Sequence, residues 1–178
     1  MAVFEKAVIA TLAAEGVLSN DKHDKGGITA WGITGETLDV YRRKTGLLAH
    51  VQVATLSRDE AVAIYRALYW RYDMVNSQFI ATKMFDLGVN VGLTQAQLFV
   101  QRAINFIGGP QIAEDGMWGA ATLERLNVIG SMKVTALAWF KALVYFGAVF
   151  YVGLVAKNHT QSDFIDGWLT RLCTRPPF

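Results

Sequence analysis

Residues 15–34 read EGVLSNDKHDKGGITAWGIT, and the reading of the whole chain turns on this stretch. Upstream of it, Phe4, Val8 and Leu12 stand four apart, with Glu15 three further on. At about 100° per residue these four side chains fall on one side of a helix. The spacing predicts a first helix over residues 2–15, ended by Gly16, a residue suited to the left-handed position that closes helices. Glu15 is then expected to project from a core-facing stripe into a partly dry place. Desolvation raises a carboxyl pKa, and a carboxyl that stays protonated near neutral pH can act as a general acid. The competing reading is a solvated carboxylate at a helix end.

The following loop favours the first reading. Asp24 comes nine residues after Glu15, Thr29 five after that, and Gly26-Gly27 lies between them. A glycine pair permits backbone turns closed to other residues and lets polar groups approach a substrate closely. Glu15, Asp24 and Thr29 brought together by such a turn supply an acid, a base and a hydroxyl that positions water, a set suited to splitting a glycosidic bond with inversion. Asp21 lies in the same loop, and the sequence leaves open which of Asp21 and Asp24 faces the acid. Ile28, Thr29, Trp31, Ile33 and Thr34 suit a pleated surface, so residues 28–34 are expected as a short strand or hairpin arm.

The run E-G-x-x-S-N-D-x-x-D-x-G-G-x-T-x-W-G-I-T resembles the signature of glycoside hydrolase family 108, the N-acetylmuramidases found mostly in phage endolysins. The eight residues between Glu15 and Asp24 also resemble the catalytic spacing of phage-type lysozymes. Two departures stand out: four residues separate Asp24 from Thr29 where five are usual, and Val17-Leu18 stands where Gly-Tyr is commoner. The resemblance implies a mainly α, lysozyme-like helical domain with a small β-hairpin element at the cleft. It implies Glu15 as general acid, Asp24 as base or electrostatic partner, Thr29 as water positioner, and Asp21 and Trp31 beside the substrate.

Composition fits one compact enzyme. Among 178 residues, 52% are hydrophobic and 18% charged, which marks an ordered and rather apolar chain. A net charge of +2 permits attraction to an anionic wall but is no nucleic-acid footprint, which needs clustered Lys and Arg. The lone Cys173 excludes an intrachain disulfide and is expected as a buried small hydrophobe. MAVFEKAVIATLAAEG lacks the basic start and cleavage site of a signal peptide. The expectation is synthesis in a host bacterial cytoplasm and action on the wall after release through a separate membrane lesion. His23, His50 and His159 are too dispersed to suggest a metal site, and neither metal nor cofactor is expected.

Further along, a short helix is expected over residues 35–45 with Gly46 ending it, and Ser57-Arg-Asp-Glu60 reads as a capping box opening a helix to about Tyr72. Tyr69 and Trp70 admit two readings, core packing or a wall for the apolar face of a sugar; a similar pair in the family favours the wall. A helix over 77–91 carries Asp86 and Asn90 four apart on one face. Asp86 is expected to brace or cap backbone groups, and Asn90 to contact substrate. Thr94-Gln-Ala-Gln97 reads as a second capping box, opening a helix through Phe106, and a turn is expected at Asp115-Gly116.

The pattern Q-x-A-I-N…D-G-x-W-G-x-x-T-L resembles the helical peptidoglycan-binding module that commonly follows family 108 catalytic segments. No Ser/Pro-rich linker precedes it, so a single globule over 1–178 is expected, with a catalytic segment 1–92 and a packed helical segment 93–178. Residues 134–156 are apolar and long enough to span a bilayer, but Lys141 interrupts them. The expectation is a buried central helix, apolar all round because neighbours cover it. The ending Phe164-Ile-Asp-Gly167-Trp168-Leu-Thr-Arg171 again resembles the family's.

Together these readings give a monomeric hydrolase of the β-1,4 bond between N-acetylmuramic acid and N-acetylglucosamine in bacterial peptidoglycan. No nucleic acid and no stable membrane insertion are expected. Two other functions stay open: a lytic transglycosylase acting on the same bond, and a non-catalytic wall-binding or phage structural protein.

Overall fold

The structure, a computed structural model, describes the backbone of residues 1–15, 18–19 and 29–178 and the side chains outside 13–28. The expectations for Gly16, Asp21, Asp24 and the Gly26-Gly27 pair, and for the Glu15 side chain, fall outside the described residues. The described chain is mainly helical. Helix α1 spans Phe4–Glu15, and its Phe4, Val8 and Leu12 are buried as their spacing requires. Strands β1 (Leu18–Ser19) and β2 (Thr29–Ala30) pair antiparallel, with Leu18 opposite Ala30 and Ser19 opposite Thr29.

Beyond β2 the chain reverses at once. Ala30 and Ile33 exchange both backbone hydrogen bonds, at 3.2 and 2.9 Å, around Trp31 and Gly32. Both central residues have positive φ, 56° and 75°, as the tight two-residue turn demands. Trp31 is held in that conformation by two of its polar groups. Its indole N–H donates to the Leu56 carbonyl at 3.0 Å, and its own carbonyl accepts from the Tyr65 hydroxyl at 2.8 Å. The β element is thereby pinned to the first half's helices.

Helix α2 spans Gly35–Thr45 and ends on Gly46 at φ 73°. Helix α3, Arg58–Tyr69, opens with the expected capping box: the Ser57 hydroxyl accepts from Glu60 N–H, and the Glu60 carboxylate accepts from Ser57 N–H at 2.8 Å. Such a cap contributes about 0.5–2 kcal/mol. The helix stops three residues before Tyr72, because Trp70 turns into extended backbone to enter the core.

Helices α4 (Gln78–Val91) and α5 (Leu93–Phe106) are separated by Gly92 alone, at φ 82°. This corrects the second capping box. A glycine makes the corner, so Thr94 lies inside the first turn of α5 and caps nothing there. The Asp115-Gly116 turn is held by buried Gln101, whose amide donates to the Asp115 carboxylate at 2.8 Å and whose carbonyl accepts from Gly116 N–H at 2.9 Å. Helix α6 spans Ala120–Gly130, α7 Lys133–Lys157 and α8 Ile165–Cys173.

The expectation of full cover for α7 is corrected. Helices α5, α6 and α8 pack on one side of it. Its other side presents Val134, Tyr145, Val149 and Val152 to solvent, each more than half exposed. Of its most apolar 18-residue window, 33% is buried within the fold, and by length and composition the helix is apolar enough to cross a membrane. Cys173 is likewise exposed rather than buried, because it ends α8 on the outer side while Leu172 takes the inward position.

The aromatic core lies where α1, α3 and α4 meet. Phe4 makes edge-on contacts with Trp70 and Phe85, at centroid distances of 5.5 and 5.7 Å, and Tyr65 and Trp70 also pack on Phe85. Contacts run from this half into the second: Phe79 on Phe140 and Phe178, Tyr72 on Trp118, and Asn76 N–H to the Asn127 side chain.

Candidate active site

Two anchors set α1 against α4. At the start of both helices Val3 N–H donates to the Gln78 side chain at 2.7 Å, and Gln78 donates back to the Val3 carbonyl at 3.1 Å. Further along, Ala10 shares one cavity with Asp86 and Asn90. The two helices therefore run side by side in the same direction. Glu15 ends α1 five residues past Ala10, about 7.5 Å along the axis at 1.5 Å per residue. The backbone of the candidate acid thus stands toward the C-terminal end of α4, where Asn90 lies.

The cavity is about 580 Å³ and is walled by α1, α4 and α8. Asp86 stands on its α4 side with the Arg171 guanidinium at 2.9 Å and Lys83 at 3.6 Å. Asp86 thus braces α8 through side chains rather than capping backbone groups. Lys83, 1% exposed, donates to the carbonyls of Arg171 at 2.9 Å and Thr174 at 3.2 Å, at the end of α8. Burial pushes the Lys83 pKa down, and the Asp86 carboxylate opposes the shift. Asn90 donates to the Tyr151 hydroxyl at 2.8 Å. Burial raises the Tyr151 phenol to about 12, so it stays neutral and accepts that bond.

Among the other residues expected at the site, Thr29 sits half-buried on β2. Trp31 is part-buried with its indole N–H engaged, which makes it an anchor of the β turn. Tyr69 ends α3 part-exposed, its ring 5.9 Å from that of Tyr65. The expected aromatic wall is corrected at Trp70. That residue is 9% exposed, its indole N–H donates to Asp73 at 2.8 Å, and rings of Phe4, Tyr72 and Phe85 pack edge-on against it. Core packing claims this side chain because its ring has three aromatic neighbours to bury against.

Residues 8–92 match the family model described as Glycosyl hydrolase 108, a span that holds the whole Glu15–Thr34 stretch. The first half of the chain belongs to glycosyl hydrolase family 108. Residues 95–173 match the model described as Predicted Peptidoglycan domain. The chain is accordingly a glycoside hydrolase, and the pair of segments marks it as a peptidoglycan hydrolase. Among solved structures it is similar to that of Brucella abortus SagA, at 25% identity and a TM-score of 0.74, covering 95% of this chain and 88% of that one. A comparison with curated proteins gives no match.

The boundary between the family 108 segment and the second segment falls at the Gly92 corner, and the cavity draws its lining from both sides of it. The sequence reading assigned no role to Lys83, Asp166 or Arg171. A signal was present for Lys83, a lysine inside the apolar run FIATKMF and three residues before an aspartate. Lys83→Met is expected to lower stability by about 1–3 kcal/mol, because two carbonyls at the end of α8 lose their buried donor while Asp86 keeps Arg171. A thermal melt followed by circular dichroism checks it. An unchanged melting temperature would show that Lys83 does not hold α8.

Proposed function

We propose that the chain is an endolysin-type N-acetylmuramidase that hydrolyses the β-1,4 bond between N-acetylmuramic acid and N-acetylglucosamine. One observation supports the reading: the Glu15-to-Thr29 stretch begins at the end of α1, five residues past Ala10, which lines a cavity walled by both the family 108 segment and the second segment. In this mechanism Glu15 protonates the leaving glycosidic oxygen. Asp24 takes a proton from the attacking water, and Thr29, held on a pinned β element, orients that water. Asp21 is the alternative base. The protein would act on the wall from outside the cytoplasm, after release through a membrane lesion made by another component.

An attacking water between base and sugar requires the two carboxyl groups to lie about 6.5–9.5 Å apart, whereas a covalent nucleophile would need about 5–5.5 Å. A hydroxyl residue five positions after Asp24 in the sequence favours the wider arrangement, because a retaining nucleophile has no need of a water positioner. Inversion at the anomeric carbon is the expected outcome. Proton NMR of the first product released from a defined β-linked muropeptide oligomer checks it: the α-anomer should appear first. A β-anomer appearing first would remove the inverting mechanism and leave Glu15 as the acid. Clearing of a permeabilised cell suspension tests the broader reading, since a wall binder without catalysis would leave turbidity unchanged.

A further inference from the structure

The D-G-x-W-G motif at residues 115–119 takes no part in the catalysis above, yet the fold builds a second cavity around it. This cavity, of about 310 Å³, lies between Arg71 and Tyr72, the first turns of α5, and the motif's Gly116, Met117 and Trp118. It shares no lining residue with the cavity beside α1. Its motif wall is fixed. The Asp115 carboxylate accepts from Met117 N–H at 2.8 Å, and Gln101 donates to the Met117 carbonyl at 3.1 Å. Gly116, at φ 72°, lets the turn press against α5, where a Cβ would stand 2.8 Å from the Thr94 side chain. Trp118 meets the Tyr72 ring edge-on at 5.4 Å and stays part-exposed. Thr94 and Gln97, three apart, share the face of α5 that lines the cavity. Gln97 is 5% exposed, and its amide nitrogen is buried with no hydrogen-bond partner among the described residues. A buried N–H without a partner is costly to the fold, and packing gives no reason for an amide here.

We propose that this second cavity is a glycan subsite, seating one N-acetylated sugar of the peptidoglycan strand with its acetamido group on the Gln97 amide and its ring beside Trp118. The assignment rests on the peptidoglycan-hydrolase reading above. An acetamido group offers one carbonyl acceptor and one N–H donor, and a side-chain amide matches both. The last torsion of a glutamine is broad, so the Gln97 amide turns to a ligand without any movement of α5. An indole presents a flat apolar face to the C–H side of a pyranose and an N–H to its hydroxyls. The Tyr72 phenol, pushed up to about 12 by burial, stays protonated and adds an O–H donor. The size is right for one sugar, since ligand pockets run from about 300 to 1,000 Å³ and this one stands at the small end. The lining also speaks against the peptide stem. Its described residues include no carboxylate to pair a stem ammonium, and Arg71, its one charged residue, is exposed.

The test is proton–nitrogen NMR on the full chain carrying Glu15→Gln, so that binding is read without turnover. The Trp118 indole N–H signal, assigned by its loss in Trp118→Phe, reports on this cavity and not on the cleft. Three probes are compared: tri-N-acetylchitotriose, cellotriose, which has hydroxyls in place of the acetamido groups, and a free stem tetrapeptide. Chitotriose should move the signal saturably, and cellotriose should bind at least about fivefold more weakly, the scale of one neutral hydrogen bond. The tetrapeptide should leave the signal in place. Adding Gln97→Leu should weaken chitotriose about fivefold. The probe comparison leaves the cavity unaltered, so it decides the matter even where Gln97→Leu loosens the fold. A signal that chitotriose does not move, equal affinity for cellotriose, or a response to the tetrapeptide in place of the sugar would each overturn the assignment. So would undiminished chitotriose binding by a folded Gln97→Leu chain. Wall lysis by the unaltered chain with no movement of the Trp118 signal would overturn this assignment alone. A moving signal on a chain that cleaves no glycosidic bond would overturn the muramidase reading and leave the subsite standing.

Discussion

Glu15→Gln is expected to preserve the fold and to lower lytic activity by about 10²–10⁴-fold, the usual share of general acid assistance. The amide keeps the size of the side chain but has no proton to give the leaving oxygen. Fold and function should separate cleanly, because the packing that holds α1 lies upstream in Phe4, Val8 and Leu12, all buried. The start of α1 is fastened independently through Val3 and Gln78. The check pairs a turbidity assay with a thermal melt. Near wild-type clearing by Glu15→Gln would show that another group protonates the leaving oxygen, and an unchanged melt would confirm that the comparison is fair.

Asp24→Asn is expected to cost about 10²-fold or more in rate, again with little change in stability, because under the proposed mechanism it removes the base that deprotonates the attacking water. Thr29→Ala should cost less. A hydroxyl that orients water contributes one neutral hydrogen bond, and β2 is held by backbone pairing and the Trp31 turn rather than by the Thr29 side chain. Asp21→Asn is the internal control. If it proves more damaging than Asp24→Asn when initial rates are measured on purified peptidoglycan, the two aspartates exchange roles.

Local signals carried most of the helices. The Phe4–Val8–Leu12 spacing, the Ser57–Glu60 capping box and Gly46 each act within one or two turns, and each appears where its short-range physics puts it. Signals that depend on distant neighbours were legible only in part. Trp70 looks alike in sequence whether it walls a cleft or fills a core, and only the arrival of Phe4 and Phe85 decides the matter. Thr94-Gln-Ala-Gln97 has the composition of a cap, but Gly92 had already turned the chain into α5. The apolar run of α7 was visible, while its one-sided cover depends on where α5, α6 and α8 pack. At the site, the sequence suggests an acid, a base and a hydroxyl in the stretch from Glu15 to Thr29, most of which lies outside the described residues. The Lys83–Asp86–Arg171 cluster was not legible, because 85 residues separate Asp86 from Arg171 and no local pattern joins them.

The most direct test of the account is mass spectrometry of the soluble fragments released from purified peptidoglycan by the unaltered chain. Hydrolysis by an acid and an activated water predicts muropeptides that end in reducing N-acetylmuramic acid, with water added across the cleaved bond. Fragments 18 mass units lighter, ending in the 1,6-anhydro sugar, would contradict the roles given to Asp24 and Thr29. Such products arise when the sugar's own hydroxyl replaces water, as in a lytic transglycosylase.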